Sequence, residues 1–276
     1  MRSKTTAKID LIKPTSFEFA TQYVNHQTSV DKSYGYYFRE DVALFEFFEG
    51  NEMRVSSLTE DFNEDFLRAL LNYPMACLLY QKGYFLLHAS AVTFENKVYL
   101  FPGPSMSGKS TLVSYLVKKG GQLITEDTAA ISIHDDAAYI SPAYPLIKIS
   151  PEANTYIGLS KSSGINFPRD INTRRGHLLG KASFATSTQK IDFCIFPEWA
   201  DSGSFFEKIS FFTAMGKLLS SSPSLLSLSR SKEKDLLTAN ANFLKNVSTY
   251  IYKREQAFSS LDSLIESLSG LQRQRL

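Results

Sequence analysis

The sequence predicts an α/β fold, with a small β-rich segment ahead of the main alternation of strands and helices. Three observations predict it. An apolar strand at residues 98–101 runs into a glycine-rich turn that opens a helix at 109–119. A second short strand, 123–125, follows that helix after Gly120-Gly121. Residues 1–60, by contrast, carry only short alternating or aromatic runs.

Those runs lie at 16–23, 34–38, 42–48 and 53–56, with Glu49-Gly50-Asn51 as a hairpin turn between the last two. We therefore divide the chain into a β-rich N-terminal lobe at 1–60 and a larger domain at 61–276. Residues 61–71 (DFNEDFLRALL) have helical periodicity, whereas the apolar run 75–80 suits a helix or a strand equally. Residues 85–94 read as a strand that turns at Glu95-Asn96-Lys97 into the buried strand 98–101. Beyond the helix at 109–119, the strand 123–125 ends at Glu126-Asp127, and this strand–helix–strand spacing is that of a βαβ unit.

Further on, 129–134 and 137–141 form hairpin arms around Asp135-Asp136. The polar, basic, glycine-dotted stretch 160–181 reads as a long loop. A buried strand at 191–196, a Ser-rich loop or frayed helix at 220–229, a helix at 232–244 and a strand at 247–252 follow. An amphipathic helix at 261–271 closes the pattern.

The turn after the strand at 98–101 carries the most specific chemistry. Gly103, Pro104, Ser105, Met106, Ser107, Gly108, Lys109 and Ser110 fit G-x-x-x-x-G-K-[ST] at every fixed position, with Thr111 next. Glycines let successive backbone N–H groups point inward, and the helix that follows presents its positive end to the same anion. In such a loop Lys109 reaches the β- and γ-phosphates and the Ser110 hydroxyl ligates Mg²⁺, so a nucleoside triphosphate, ATP with Mg²⁺, is the expected ligand. A metal held this way needs a carboxylate from a neighbouring strand end, and Glu126 and Asp127 occupy that place.

His88 lies in an apolar strand, where a histidine is commonly a core residue with a satisfied ring. His26, His134 and His177 show no metal-ligand spacing. Arg169, Arg174, Arg175 and Lys181 crowd the loop at 160–181 and suit either a clamp on phosphate or acidic substrate or a solvated basic surface. With a net charge of only +2, no strong bulk field favours nucleic acid or an anionic membrane, so neither is an expected partner. No apolar run approaches the ~18 residues of a membrane span, and MRSKTTAKIDLIKP lacks the apolar stretch of a signal peptide. Cys77 and Cys194 sit in apolar runs as buried thiols, and the expected location is cytoplasmic.

Six segments, in order, resemble the HPr kinase/phosphorylase superfamily, specifically its stand-alone kinase-like branch. They are LLHASAV at 86–92, FPGPSMSGKSTL at 101–112, LITEDTAAI at 123–131 and SPAYPLIKISPEA at 141–153, with FPEW at 196–199 and VSTYIYKREQAFSSLDSLIESL at 247–268 more weakly. The resemblance implies a P-loop kinase core related to phosphoenolpyruvate carboxykinase, a mixed twisted sheet with helices packed on it. It implies His88 as an active-site histidine and Asp127 as the base towards a serine hydroxyl. Glu126 stands in place of a second aspartate near the metal. Relatives of this size resemble kinases that phosphorylate a serine of ribosomally made precursor peptides, lasso peptides among them. The implied activity is Mg·ATP-dependent transfer to a hydroxyl of a peptide or protein acceptor, by a chain that forms a homo-oligomer. On the residues alone, a nucleotide-binding regulator that transfers nothing and a kinase of free-serine type remain open.

Overall fold

Short aromatic strands need a second surface to cover them, and here they find it in two helices that follow. The computed structural model describes residues 8–12, 28–39, 42–57, 64–161, 164–166, 173–222 and 230–273. The expected run at 16–23 and most of the Ser-rich stretch lie outside these residues. β1 (Lys8–Ile12), β2 (Thr28–Val30), β3 (Tyr34–Arg39), β4 (Ala43–Phe48) and β5 (Glu52–Ser57) form one sheet in the order β1-β5-β4-β3-β2, with only β1 and β5 parallel. Phe45, Phe47, Met53 and Val55 pack against Phe66 and Ala69 of α1 (Glu64–Leu71) and against Ala76, Cys77 and Leu78 of α2 (Tyr73–Gln81). The ambiguous run at 75–80 is thus helical; Pro74 in its first turn, where no N–H is needed, favours that start.

β6 (Phe85–Phe94) and β7 (Lys97–Pro102) make an antiparallel hairpin in which Glu95 and Asn96 both take positive φ, the geometry that matches strand twist. α3 (Lys109–Lys118) follows, then β8 (Gln122–Thr125), β9 (Thr128–His134), β10 (Ala137–Ser141), β11 (Leu146–Ile149) and α4 (Pro151–Ile157). The remaining elements are β12 (Ile165–Asn166), β13 (Arg175–Leu178), β14 (Gln189–Lys190), β15 (Phe193–Ala200), β16 (Ser204–Lys208), α5 (Phe211–Ser220), α6 (Arg230–Asn246), β17 (Ser248–Glu255) and α7 (Leu264–Arg273).

The large sheet runs β14-β10-β9-β6-β7-β15-β17-β16, with β8 also paired to β6. It is mixed: β7, β15 and β17 are parallel, and the flanking pairs are antiparallel. One face is covered by α3, α4 and α7, through Leu112, Leu116, Ala153, Leu264 and Leu268 against Val92, Phe101, Phe193 and Tyr252. The other is covered by α5 and α6, through Ala214, Leu218 and Phe243 against Leu87, Leu100, Cys194 and Phe196. Burial on both faces explains the nearly continuous apolar run in β6. Cys77 and Cys194 are buried thiols outside any disulfide, as the sequence suggests.

Two expectations need correction. The strand–helix–strand passage is a βαβ crossover whose two parallel strands are not neighbours, because β6 lies antiparallel between β7 and β8. The stretch 160–181 is only partly loop: β12 and β13 join β11 in a small sheet. Neither short strand has an alternating pattern of its own, and the pairing edge supplied by β11 creates them.

α3 ends as its glycines predict, with Gly121 N donating to Leu116 O and Gly120 N to Val117 O. Gly121 also permits the helix to lie on β6, since a Cβ there would meet Thr93 O at 2.8 Å and Leu116 O at 3.0 Å. Both obstacles are backbone. Gly121→Ala is therefore expected to destabilise the fold by about 2 kcal/mol through forced separation of α3 from β6. Chemical denaturation of the two proteins checks this; an unchanged midpoint would mean that the backbone yields without cost.

Candidate functional site

The glycine loop of residues 103–108 links the end of β7 to the start of α3. Gly108 takes φ +92°, and a Cβ there would lie 2.7 Å from Arg254 Nη2 and 3.1 Å from Trp199 Cη2. The conformation favours glycine, and any Cβ would make the Arg254 and Trp199 side chains give way. At the loop tip Met106 is 75% exposed. Lys109 is buried at the first turn of α3, and its Nζ donates to Gly103 O and Pro104 O at 2.8 Å each and to His88 Nε2 at 3.1 Å. Burial pushes its pKa down to about 8, against the pull of Asp127 and Glu126. With Nε2 accepting from Lys109, the ring proton of His88 sits on Nδ1, which faces Asp127 O at 3.0 Å and Asp127 Oδ1 at 3.2 Å.

β8 and β9 run along the same edge of β6, one beside its second half and the other beside its first. Glu126-Asp127 is the joint between them, and Asp127 takes φ +92° to make it. Ala89 N donates to Asp127 O at 3.1 Å, while on the opposite edge Gly103 N donates to His88 O at 3.3 Å. A two-residue stretch of β6 thus carries the glycine loop on one side and the acidic pair on the other.

Glu126 is buried, and its Oε1 accepts from Ser110 Oγ at 2.7 Å. Burial raises its pKa, opposed by the charge of Lys148. Lys148, on β11, lies 2.8 Å from Asp127 Oδ2 and 3.7 Å from Glu126 Oε2. Burial alone would raise the Asp127 pKa, but hydrogen bonds and charge from His88 and Lys148 outweigh it and hold the carboxyl well below the usual range. The same carboxylates hold Lys148 above the usual lysine range despite its burial. Among the described residues no three His, Cys, Asp or Glu side chains cluster to hold a metal by themselves. Ser110 and Glu126, whose buried Oε2 lacks a hydrogen-bond partner, instead suit Mg²⁺, which keeps waters and takes phosphate oxygens. Asp127, also expected near the metal, has its carboxylate oxygens engaged by His88 and Lys148.

These side chains line a cleft of about 470 Å³, large enough for a nucleotide. Ser105, Met106, Gly108, Lys109, Ser110 and Thr111 line it; Gly103, Pro104 and Ser107 do not. Of the cations expected as a clamp, Arg174 lines the cleft. Arg175, next along the extended chain, sits within β13 and does not; Lys181 is exposed in a short 3-10 turn and does not either. Arg169 lies outside the described residues. Two cations escaped sequence reasoning, Lys148 and Arg254. Arg254 is almost wholly buried, with its guanidinium 4.3 Å above the Trp199 ring and Nη1 donating to Ser260 Oγ at 2.9 Å; burial pushes its pKa down to about 10. Their signal was a charge inside an otherwise apolar strand, LIKI, and another closing the strand STYIYKRE.

No family profile matches the chain, and no curated protein is similar to it in sequence. Among solved structures, the chain is similar to the Hpr(Ser) kinase/phosphatase from Coxiella burnetii at 14% identity and a TM-score of 0.38, over 69% of this chain and 92% of that one. A likeness of that depth leaves the chemistry to be read from the residues of the cleft itself.

Lys148 is the cation shared by two adjacent carboxylates. Its removal in Lys148→Met is expected to cost about 3 kcal/mol at pH 8. Without the cation the Glu126 pKa, already raised by burial, rises further, so the deficit shrinks as pH falls towards 5 and that carboxyl takes up its proton. Melts at the two pH values check the sign; an equal deficit at both would assign Lys148 a packing role only.

Proposed function

We propose that this chain is a Mg·ATP-dependent kinase that transfers the γ-phosphoryl group to a serine hydroxyl of a peptide or protein, with ribosomally made precursor peptides such as lasso peptides as one candidate acceptor class. The observation that carries the reading is the Ser110–Glu126 contact at 2.7 Å, beside a buried loop lysine and next to an ionised Asp127. The loop amides and Lys109 hold the phosphates, and Ser110 and Glu126 hold the metal. When bound, Mg²⁺ neutralises charge on the phosphate oxygens.

Asp127 orients the acceptor hydroxyl and takes its proton. A carboxylate held so low is a weak base, but phosphoryl transfer passes through a loose transition state in which positioning matters more than base strength. His88 supplies that positioning through its contacts with both Asp127 and Lys109. Arg174 brings further positive charge to the cleft, and Arg254 with Trp199 lines it beside Gly108.

Transfer of label from ATP to serine peptides tests the reading. Lys109→Ala is expected to lower transfer by about a hundredfold or more. Asp127→Asn should keep nucleotide affinity while losing about a hundredfold in turnover. Wild-type turnover in D127N would remove Asp127 from the reaction. The Lys109 ammonium adds a pH signature. Its proton is lost near pH 8 in the free protein, so above that pH triphosphate binding must restore it. Affinity should then fall by up to about tenfold per pH unit. Calorimetry at pH 9 in two buffers should show proton uptake; none would mean that Lys109 does not face the phosphates.

A further inference from the structure

Asp127 also lines a second and much smaller cavity, of about 80 Å³, whose wall includes no residue of the glycine loop. It is polar, and its wall includes Arg68, Asn72, Asp127, Tyr144, Lys148 and Arg174. Asp127 and Lys148 line both cavities, so the ionised carboxylate stands where the two meet. The volume is too small for a nucleotide and suits a few heavy atoms, whereas the larger cleft carries the glycine loop.

Arg68 is the informative residue. It projects from the last turn of α1, and its Nη1 is buried with no hydrogen-bond acceptor among the described residues. A buried guanidinium nitrogen left without an acceptor is costly, and its planar fork matches a carboxylate. Lys148 is already committed to Asp127 and Glu126, so it does not neutralise an incoming anion alone. Tyr144, whose hydroxyl burial pushes up to about 12, stays protonated and can donate. Asn72 offers a further donor on the same wall. The cavity therefore presents donors and positive charge, with a single carboxylate at its inner end.

We propose that this cavity is the acceptor subsite and that Arg68 binds a carboxylate carried beside the reacting hydroxyl. The placement sends the hydroxyl towards Asp127 while the neighbouring carboxylate is held by the arginine. A carboxylate in that position comes from the acidic neighbour of a serine in a peptide or from the α-carboxylate of free serine. The acceptor role rests on the phosphotransfer reading above; carboxylate binding does not, and it is measured separately.

Two matched pairs of probes separate the cases: peptides with Ser-Asp against Ser-Asn, and free serine against serinamide. Phosphotransfer by the wild type should favour the acidic member of at least one pair by about tenfold, and Arg68→Gln should abolish that preference while Arg68→Lys keeps part of it. The pair that discriminates identifies the source of the carboxylate. Equal transfer within both pairs, or a preference that survives in R68Q, overturns the proposal. If the wild type phosphorylates none of the four, the kinase reading and the acceptor role fail together, and titration followed by NMR of the arginine side chains decides the binding site. Acid-selective perturbation lost in R68Q then keeps Arg68 as a carboxylate site; no selectivity removes it.

Discussion

The site depends on holding Lys109 and Glu126 out of water without giving either a full ion-pair partner. Lys109 is pushed down and Glu126 up, each in the direction that burial dictates, so each is held where its charge is least comfortable. Asp127 and Lys148 are the opposite case: they pair at 2.8 Å, and each is driven further towards its ionised form. The cluster divides into a close ion pair and two hydrogen-bonded groups with no counter-charge so near. Those two groups are a cation on the glycine loop and a carboxylate beside Ser110, which are complementary to a phosphate and a divalent metal respectively. Natural proteins tolerate such strain where function needs it.

What fixes these groups in place is main chain. His88 and Ala89 sit in the middle of a strand paired on both edges, and each edge delivers one half of the site. Gly103 N reaches His88 O from the loop side, and Ala89 N reaches Asp127 O on the acidic side. The imidazole then repeats the connection with its side chain, accepting from Lys109 and donating towards Asp127. Backbone ties in a buried sheet are stiff, so the distance between loop and carboxylate is set before any ligand arrives.

The loop and its helix were legible in the sequence because each step there has a local cause. Gly108 needs a positive φ, Gly120 and Gly121 close the helix through their own N–H groups, and Lys109 follows at fixed spacing. The order of strands was not legible. Nothing local states that β6 inserts between β7 and β8, since that depends on pairing between segments far apart in the chain. Lys148 and Arg254 were hidden for the same reason. A charged residue in a buried strand is visible as an anomaly, but its partners come from distant parts of the chain, the β8–β9 joint for Lys148 and Trp199 for Arg254. Of Arg174 and Arg175, only the alternation of an extended chain decides which one meets the cleft, and that alternation has no reference until β13 pairs with β11.

The two cavities around Asp127 differ in size and in kind, and the difference gives the site a direction. The glycine loop, Ser110 and Glu126 belong to the large cleft; Arg68, Asn72 and Tyr144 belong to the small one. In-line displacement needs the attacking and leaving oxygens on opposite sides of the transferred group. In the transfer proposed above, a carboxylate at the boundary, held by His88 on one side and Lys148 on the other, faces such a path without belonging wholly to either end. The wall of the small cavity is also where the N-terminal part of the chain touches the chemistry, since Arg68 and Asn72 flank the junction of α1 and α2. The helices that cover the first sheet therefore do more than bury its aromatic face: they bring one side of the boundary to the carboxylate, while the large sheet brings the other.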